Sequence, residues 1–228
     1  MPPEAFLTCL LDLSGLYEEE GFAPEGAVRV DLTGLEGTAC YCDAEAADRI
    51  RDCCRGLPVR ALHWIDGGDF HYVSRFWLER LACPFELVLI DHHSDDQPSA
   101  FGTGLLSCGG WVADARRDLP LLRHSHWIHQ VPDRQEEAPY LRPGLPVYLS
   151  IDKDVLSPEW ARTNWDQCGM SLPQLKELIR QIAACREILG IDVCGGLTAA
   201  QGATPHDFAI NLRTDTELQD FLVSLQTI

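Results

Sequence analysis

At 228 residues, the chain is long enough for one α/β domain and short for two, so residues 1–228 are predicted to form a single domain. Its 35 acidic residues outnumber 18 basic ones, giving a formal net charge of -17, which opposes binding to nucleic acid or an anionic membrane. The start has no basic region before its apolar residues, and no apolar run reaches membrane-spanning length, so a cytoplasmic protein is expected. The ten cysteines lack the paired spacing of a structural zinc site, and most are expected to be reduced thiols.

Short apolar runs of strand length recur along the chain, with amphipathic segments between them. The predicted strands lie at residues 6–13, 27–32, 61–66, 86–91, 126–131, 146–152 and 187–193. The predicted helices lie at residues 43–54, 74–81 and 171–185. Ser171 is the expected N-cap of the last helix, with Pro173 in its first turn. Exposed loops are predicted at residues 18–26 and 132–146. This alternation predicts a three-layer α/β/α fold with a mostly parallel central sheet.

Acidic clusters follow two of the predicted strands. Asp91, His93 and Asp95 come at the end of one strand, and Asp152 and Asp154 come at the end of another. Alternate side chains of an extended segment project to one side, so each set is expected to converge. Four carboxylates in one cleft repel each other unless cations lie between them. Oxygen and imidazole ligands without thiolate favour Mn²⁺ or another fairly hard divalent ion over a thiolate-type zinc centre. Single acids of this kind also serve as helix caps, turns and surface charges, but two clusters, one with histidine, favour metal.

The two clusters resemble the DxHxD and SxDxD motifs of the arginase, agmatinase and formimidoylglutamase ureohydrolases. The first motif is matched by Asp91, His93 and Asp95, and the second by Asp152 and Asp154 after a serine. The resemblance implies an arginase-like fold and two manganese ions that activate a water. That water attacks the carbon of a guanidinium or amidine-like group. By the same resemblance, Asp95 and Asp152 are the expected bridging ligands.

A further motif of that family, GGDH, supplies one more histidine ligand. The resemblance covers roughly residues 61–195, and within it the segment GGDFH has Phe70 where the ligand is expected. Phe70 cannot bind a metal. A local shift of one position would bring His71 into the ligand position. The alternative is that His71 is a surface or core histidine and that one metal site is incomplete.

Other departures from the family pattern concern the substrate. Where the family has a histidine before glycine, this chain has Cys108, a weaker proton carrier. Where the family has a glutamate that holds the guanidinium, this chain has Gly195, which argues against arginine or agmatine as substrate. Cys108 and Cys194 are candidates for a role in the site, with buried packing as the alternative. Asp166 and Gln167, in a polar loop, are candidates for substrate contact together with Cys108. The alternative for Asp166 and Gln167 is that they are ordinary loop residues.

The main hypothesis is a metal-dependent hydrolase in which two metal ions activate a water for attack on a C–N carbon of a small substrate. A non-bridging carboxylate or His92 is expected to pass the proton to the leaving nitrogen. One alternative is a deacetylase-like amidohydrolase with a single Zn²⁺, and another is a non-catalytic metal-binding member. The expected partner is a small-molecule substrate, and the family resemblance allows a homo-oligomer. Neither nucleic acid nor membrane is expected as a partner.

Overall fold

The computed structural model describes residues 7–98, 105–131 and 138–225. Its strands are β1 (Thr8–Asp12), β2 (Val28–Asp31), β3 (Tyr41–Cys42), β4 (Leu62–Trp64), β5 (Phe85–Ile90), β6 (Leu106–Ser107), β7 (Leu122–Ile128), β8 (Val147–Asp152) and β9 (Ile188–Cys194). Seven of them form a sheet in the order β2-β1-β4-β9-β8-β5-β7, with every neighbouring pair parallel. Strands β3 and β6 form a separate antiparallel ribbon.

Helices connect the parallel strands. They are α1 (Leu16–Glu20), α2 (Ala44–Cys54), α3 (Ser74–Leu78), α4 (Trp111–Asp118), α5 (Leu172–Cys185) and α6 (Pro205–Ser224). Short 3₁₀ helices lie at Gly68–Val73, Pro139–Leu141, Lys153–Val155 and Ala199–Gln201. Over the described ranges, none of the helices combines the length and the apolar character needed to cross a bilayer.

Both faces of the sheet are buried, because apolar side chains point alternately to either side of each strand. Leu10 and Leu149 pack in a core with α1, α5 and α6, whereas Leu11 and Tyr148 pack in a second core with α2, α3 and α4. The predicted three-layer α/β/α fold with a mostly parallel sheet is therefore confirmed.

Several predicted elements differ from the structure. Strand β7 begins at Leu122, four residues before the predicted strand at residues 126–131. The predicted loop at residues 18–26 is partly wrong, since α1 extends to Glu20. Of the predicted loop at residues 132–146, the first six residues lie outside the described part of the chain.

Helix α5 begins as predicted. Ser171 is its N-cap and accepts a hydrogen bond from the backbone N–H of Gln174. Helix α6 was not predicted, because its buried face includes the polar residues Asn211, Thr214 and Asp215, which obscure the apolar periodicity.

Candidate metal centre

The carboxyl ends of neighbouring strands bring the acidic clusters together. Strands β5, β8 and β9 are adjacent in the sheet, and β4 lies on the other side of β9. Asp91 follows β5, Asp152 ends β8, and the 3₁₀ helix after β4 carries His71. These three residues line one cavity of about 260 Å³.

His71, Asp91 and Asp95, which we call the deep group, have almost fully buried side chains. Nδ1 of His71 lies 3.2 Å from an oxygen of Asp91 and 2.9 Å from an oxygen of Asp95. The other ring nitrogen, Nε2, lies 2.8 Å from the hydroxyl of Ser150, which donates a hydrogen bond to Asp192. The ring is therefore held with Nδ1 toward the two carboxylates.

Asp91, His93 and Asp154, which we call the outer group, lie nearer the open side of the cavity. Nδ1 of His93 is 2.8 Å from an oxygen of Asp154 and 3.8 Å from an oxygen of Asp91. The side chain of His93 is 37% exposed. In each group, one ligand atom from every residue lies within 4.8 Å of the others. Each group could therefore hold a metal ion.

Asp91 belongs to both groups, whereas Asp95 belongs to the deep group alone. The geometry thus favours Asp91 over the predicted Asp95 as a ligand shared by two ions. Asp95 differs from its predicted position because the chain after β5 does not stay extended. Asp95 has a φ of 48°, a left-handed conformation that Asp tolerates better than most residues. Its carboxylate lies beside His71 and accepts a hydrogen bond of 2.7 Å from Nε1 of Trp111.

Asp152 and Asp154 also converge by a turn. One oxygen of Asp152 lies 3.6 Å from Nδ1 of His71, and the other accepts the backbone N–H of Asp154 at 2.9 Å. This hydrogen bond forms because the chain after β8 turns into the 3₁₀ helix Lys153–Val155. The prediction of an extended segment was wrong here, yet both carboxylates line the cavity.

The electrostatics of the site favour a bound cation. Burial, and next the charge of Asp95, raise the pKa of Asp91 well above its ordinary value. Burial, and next the charge of Asp154, raise the pKa of Asp152 to about 7. A divalent ion among these carboxylates would stabilise their charged forms. The donor set of carboxylate oxygen and imidazole nitrogen therefore fits a divalent metal ion.

His71 occupies the position that the local shift in the GGDFH segment predicts. It lies in the 3₁₀ helix Gly68–Val73, where it points into the cavity. Phe70, its neighbour, is buried in the second hydrophobic core. Successive residues of a 3₁₀ helix are about a third of a turn apart, so the two side chains leave on different sides.

His92, the predicted proton carrier, does not line the cavity. Its backbone N–H donates to Asp154 at 2.9 Å, and its ring packs 4.8 Å from the ring of His93. Within the described residues, its Nδ1 is buried without a hydrogen-bond partner. These contacts suit a residue that positions Asp154 and His93 rather than one that meets the substrate.

Two of the three predicted substrate contacts lie elsewhere. Asp166 is exposed and outside the cavity lining. The amide of Gln167 donates to the backbone carbonyls of Leu156 and Ala161 at 3.0 and 3.1 Å, so it holds the loop together. Cys108 does line the cavity. Burial, and next the neighbouring Cys40, raise the pKa of Cys108 to about 12, so its thiol stays protonated at neutral pH.

The side chains that form two walls of the cavity were not predicted individually from the sequence, although the loop at residues 163–169 was expected to overhang the site. Trp165 lines one side, and its indole N–H donates to Asp69 at 3.0 Å, beside a 2.9 Å hydrogen bond from Asn164 to the same oxygen. Tyr41 and Ser107, paired across the β3–β6 ribbon, line the other side. For Trp165, the sequence offered one indication, an aromatic residue within a polar loop. Nothing local in the sequence indicates the ribbon pairing.

Gly195 allows the end of β9 to approach the site. Its φ is 97°, and a Cβ there would lie 2.4 Å from an oxygen of Asp152 and 2.8 Å from the backbone nitrogen of Lys153. We expect Gly195→Ala to displace Asp152 and to lower both metal retention and melting temperature. Gly202 is the matched control, because its φ is 101° but no atom lies within 4 Å. Gly202→Ala should cost only about 1 kcal/mol, from its backbone conformation. Equal losses in the two variants would contradict this reading of Gly195.

A buried charge cluster lies next to the candidate metal ligands. Lys153, between the two aspartates of the second motif, is 2.6 Å from both carboxylate oxygens of Asp215 on α6. Both side chains are 2% exposed. Glu20 of α1 is also buried, and burial, then the charge of Asp215, raise its pKa to about 9. The cluster thus ties the 3₁₀ helix Lys153–Val155 to α6.

Glu20 should make the folded state less stable as pH rises. Its folded pKa of about 9 exceeds its unfolded value near 4.5, so the folded state holds the proton more tightly across that interval. Stability should then fall between pH 4.5 and 9, by on the order of 1 kcal/mol per pH unit at most. Glu20→Gln removes this titration and should be more stable than wild type at pH 8 and similar at pH 4.5. Urea unfolding at both values tests this, with exposed Glu18→Gln as the control; parallel pH profiles for wild type and Glu20→Gln would refute it.

No protein-family model matches the sequence. An uncharacterized protein of Thermotoga maritima is 30% identical over 197 residues, which cover 82% of this chain and 78% of that protein. This relative carries no assigned activity.

Solved structures of ureohydrolases are similar to the whole chain. The proclavaminate amidino hydrolase of Streptomyces clavuligerus has a TM-score of 0.67 at 14% identity, covering 100% of this chain and 95% of its own. A hypothetical agmatinase from Burkholderia thailandensis has a TM-score of 0.64 at 17% identity, covering 100% and 87%. The arginase of Entamoeba histolytica has a TM-score of 0.62 at 10% identity, covering 99% and 100%. At these identities, the likeness shows a shared fold.

Proposed function

The chain belongs to the family of the Thermotoga maritima protein and has the fold of the arginase-like ureohydrolases, and we propose that it is a metal-dependent hydrolase of C–N bonds. The proposed substrates are small guanidino, amidino or related compounds. One observation carries the proposal: two ligand groups share Asp91 within one cavity at the carboxyl edge of the sheet.

We propose two divalent ions per chain. Mn²⁺ is the first choice for the outer group, because its ligand atoms are carboxylate oxygens and an imidazole nitrogen. Such a pair of ions supplies a water of lowered pKa and polarises the bond to be cleaved. The protein contributes the fixed positions of the ligand side chains and a small cavity around them.

The residues have distinct proposed roles. His71, Asp91 and Asp95 hold the deep ion with Asp152 beside them, and the Ser150 hydroxyl fixes the ring of His71. Asp95, which belongs to the deep group alone, is proposed also to pass the proton to the leaving nitrogen. His92 takes a positioning role, since its contacts are with Asp154 and His93.

The lining of the cavity favours an uncharged substrate group over a guanidinium. Among the described residues, its carboxylates are Asp91, Asp95, Asp152 and Asp154, all within the ligand clusters. Apart from His71 and His93, which belong to the same clusters, the other lining side chains are neutral: Cys40, Tyr41, Gln97, Ser107, Cys108 and Trp165. Gly195 stands where the resembled family has the glutamate for a guanidinium. A cationic substrate would therefore find no lining carboxylate that is free of the ligand clusters. The hydroxyl, thiol and amide groups of the lining suit a neutral substrate.

A substrate screen tests the function. Protein loaded with Mn²⁺ and chelator-treated protein would be compared on guanidino, amidino and amide compounds, with ammonia and urea release as the readout. We expect turnover only in the loaded protein, and higher kcat/KM for neutral compounds than for arginine or agmatine. No turnover with any compound, despite bound metal, would favour a non-catalytic metal-binding protein. Cleavage restricted to acetylated amines with one zinc would favour a deacetylase-like enzyme.

A further inference from the structure

Cys194 lies among the metal ligands. It is the last residue of β9, where it is the register partner of Asp152 on β8. Its side chain is 1% exposed, and Sγ lies 3.1 Å from the oxygen of Asp152 that is itself 3.6 Å from Nδ1 of His71. One ligand atom from each of His71, Asp152 and Cys194 lies within 4.8 Å of the others. The three side chains therefore satisfy the same distance condition as the deep and outer groups.

The position of Cys194 is set by the sheet and by the following glycine. Register pairing places its Cα opposite that of Asp152. Gly195 then turns with a φ of 97°, which brings the chain close to Asp152 and Lys153. The thiol is thus held against the carboxylate by rigid elements on both sides. A sulfur atom held rigidly beside the other candidate ligands is suited to bind a metal ion.

We propose that Cys194 supplies a sulfur ligand to the ion at the deep position, alongside His71 and Asp152. This inference rests on the proposed binuclear site and specifies its chemistry. When sulfur binds the ion, the thiol proton leaves to solvent, so binding releases one proton per chain from this residue. Thiolate selects thiophilic ions such as Zn²⁺ or Co²⁺ over Mn²⁺. The outer group has no sulfur ligand and keeps its preference for Mn²⁺, so the two positions differ in the ion they take.

Cobalt spectroscopy on the full chain tests the sulfur ligand. Chelator-treated wild type would be titrated with Co²⁺ without oxygen, while bound cobalt is counted and absorption is followed. We expect a sulfur-to-cobalt charge-transfer band in the near ultraviolet that Cys194→Ser abolishes. Cys108→Ser is the matched control, because its thiol lines the cavity but lies outside the three-residue cluster. This variant should keep the band.

The outcomes separate this inference from the proposed function. Cobalt that binds wild type without the band, or a band that survives in Cys194→Ser, would overturn the sulfur ligand alone. No bound cobalt in wild type would overturn the metal site as well.

X-ray absorption on wild type loaded with one equivalent of Zn²⁺ per chain tests the sulfur ligand without any variant, should Cys194→Ser fail to fold. The expected result is one sulfur neighbour at about 2.3 Å from zinc. Only nitrogen and oxygen neighbours, at about 2.0 to 2.2 Å, would reject the sulfur ligand.

Discussion

Replacing Asp91 with asparagine is expected to remove both bound metal ions, whereas replacing Asp95 should remove only one. Asp91 belongs to the deep and the outer group, and Asp95 belongs to the deep group alone. Asparagine keeps the shape of the side chain and removes its charge, so the loss reports on ligation. We expect two ions per chain in wild type, none in Asp91→Asn, and one in Asp95→Asn or Asp154→Asn. Elemental mass spectrometry after loading and desalting gives these counts.

Asp96 provides the matched control for this series. It is exposed and outside the ligand groups, with Arg116 as its ion-pair partner. Asp96→Asn should therefore retain two ions. If Asp91→Asn kept one ion, or Asp95→Asn lost both, the assignment of Asp91 as the shared ligand would be wrong.

Lys153→Met should destabilise the fold strongly. The substitution leaves Asp215 buried without its cation and close to Glu20. Removal of one partner from a buried ion pair typically costs about 3–5 kcal/mol. The double variant Lys153→Met/Asp215→Leu removes both charges and should recover most of that loss. Guanidinium unfolding of chelator-treated protein measures wild type, the double variant and both single variants, Lys153→Met and Asp215→Leu, and the coupling follows from this double-mutant cycle.

An exposed ion pair gives the comparison for Lys153. Nη1 of Arg60 lies 3.2 Å from Glu187, and both side chains are more than half exposed. Arg60→Met should cost less than about 1 kcal/mol, as exposed pairs usually do. A similar small cost for Lys153→Met, or a double variant as unstable as the single one, would show that the buried pair does not hold the 3₁₀ helix Lys153–Val155 in place.

Much of the sheet and the location of the site could be predicted from the sequence. Buried parallel strands are continuous apolar runs, and the runs before Asp91 and Asp152 identify both strand ends. Because such ends share one edge of the sheet, the acidic clusters could be expected to meet. The position of His71 in the cavity could also be predicted, because a glycine-rich segment tolerates a shift of one residue.

The finer assignments depended on information that the sequence does not hold locally. Asp91 belongs to both ligand groups and Asp95 to one, and the backbone at Asp95 is left-handed, a conformation that no residue pattern fixes. The ion pair between Lys153 and Asp215 joins residues 62 positions apart. Trp165 lines the cavity, and its indole N–H donates a hydrogen bond to Asp69 in the 3₁₀ helix Gly68–Val73, 96 positions away in the sequence. Each of these contacts follows from tertiary packing, which overrides local expectation.

Anomalous diffraction from crystals soaked in Mn²⁺ and Zn²⁺ together tests the central claim most directly, because it locates each ion among its ligands. We expect two peaks in the cavity, one bounded by His71, Asp91 and Asp95, and the other by Asp91, His93 and Asp154. Wild-type crystals that show no peak at these residues after soaking, or a single peak away from Asp91, would contradict a binuclear metal centre.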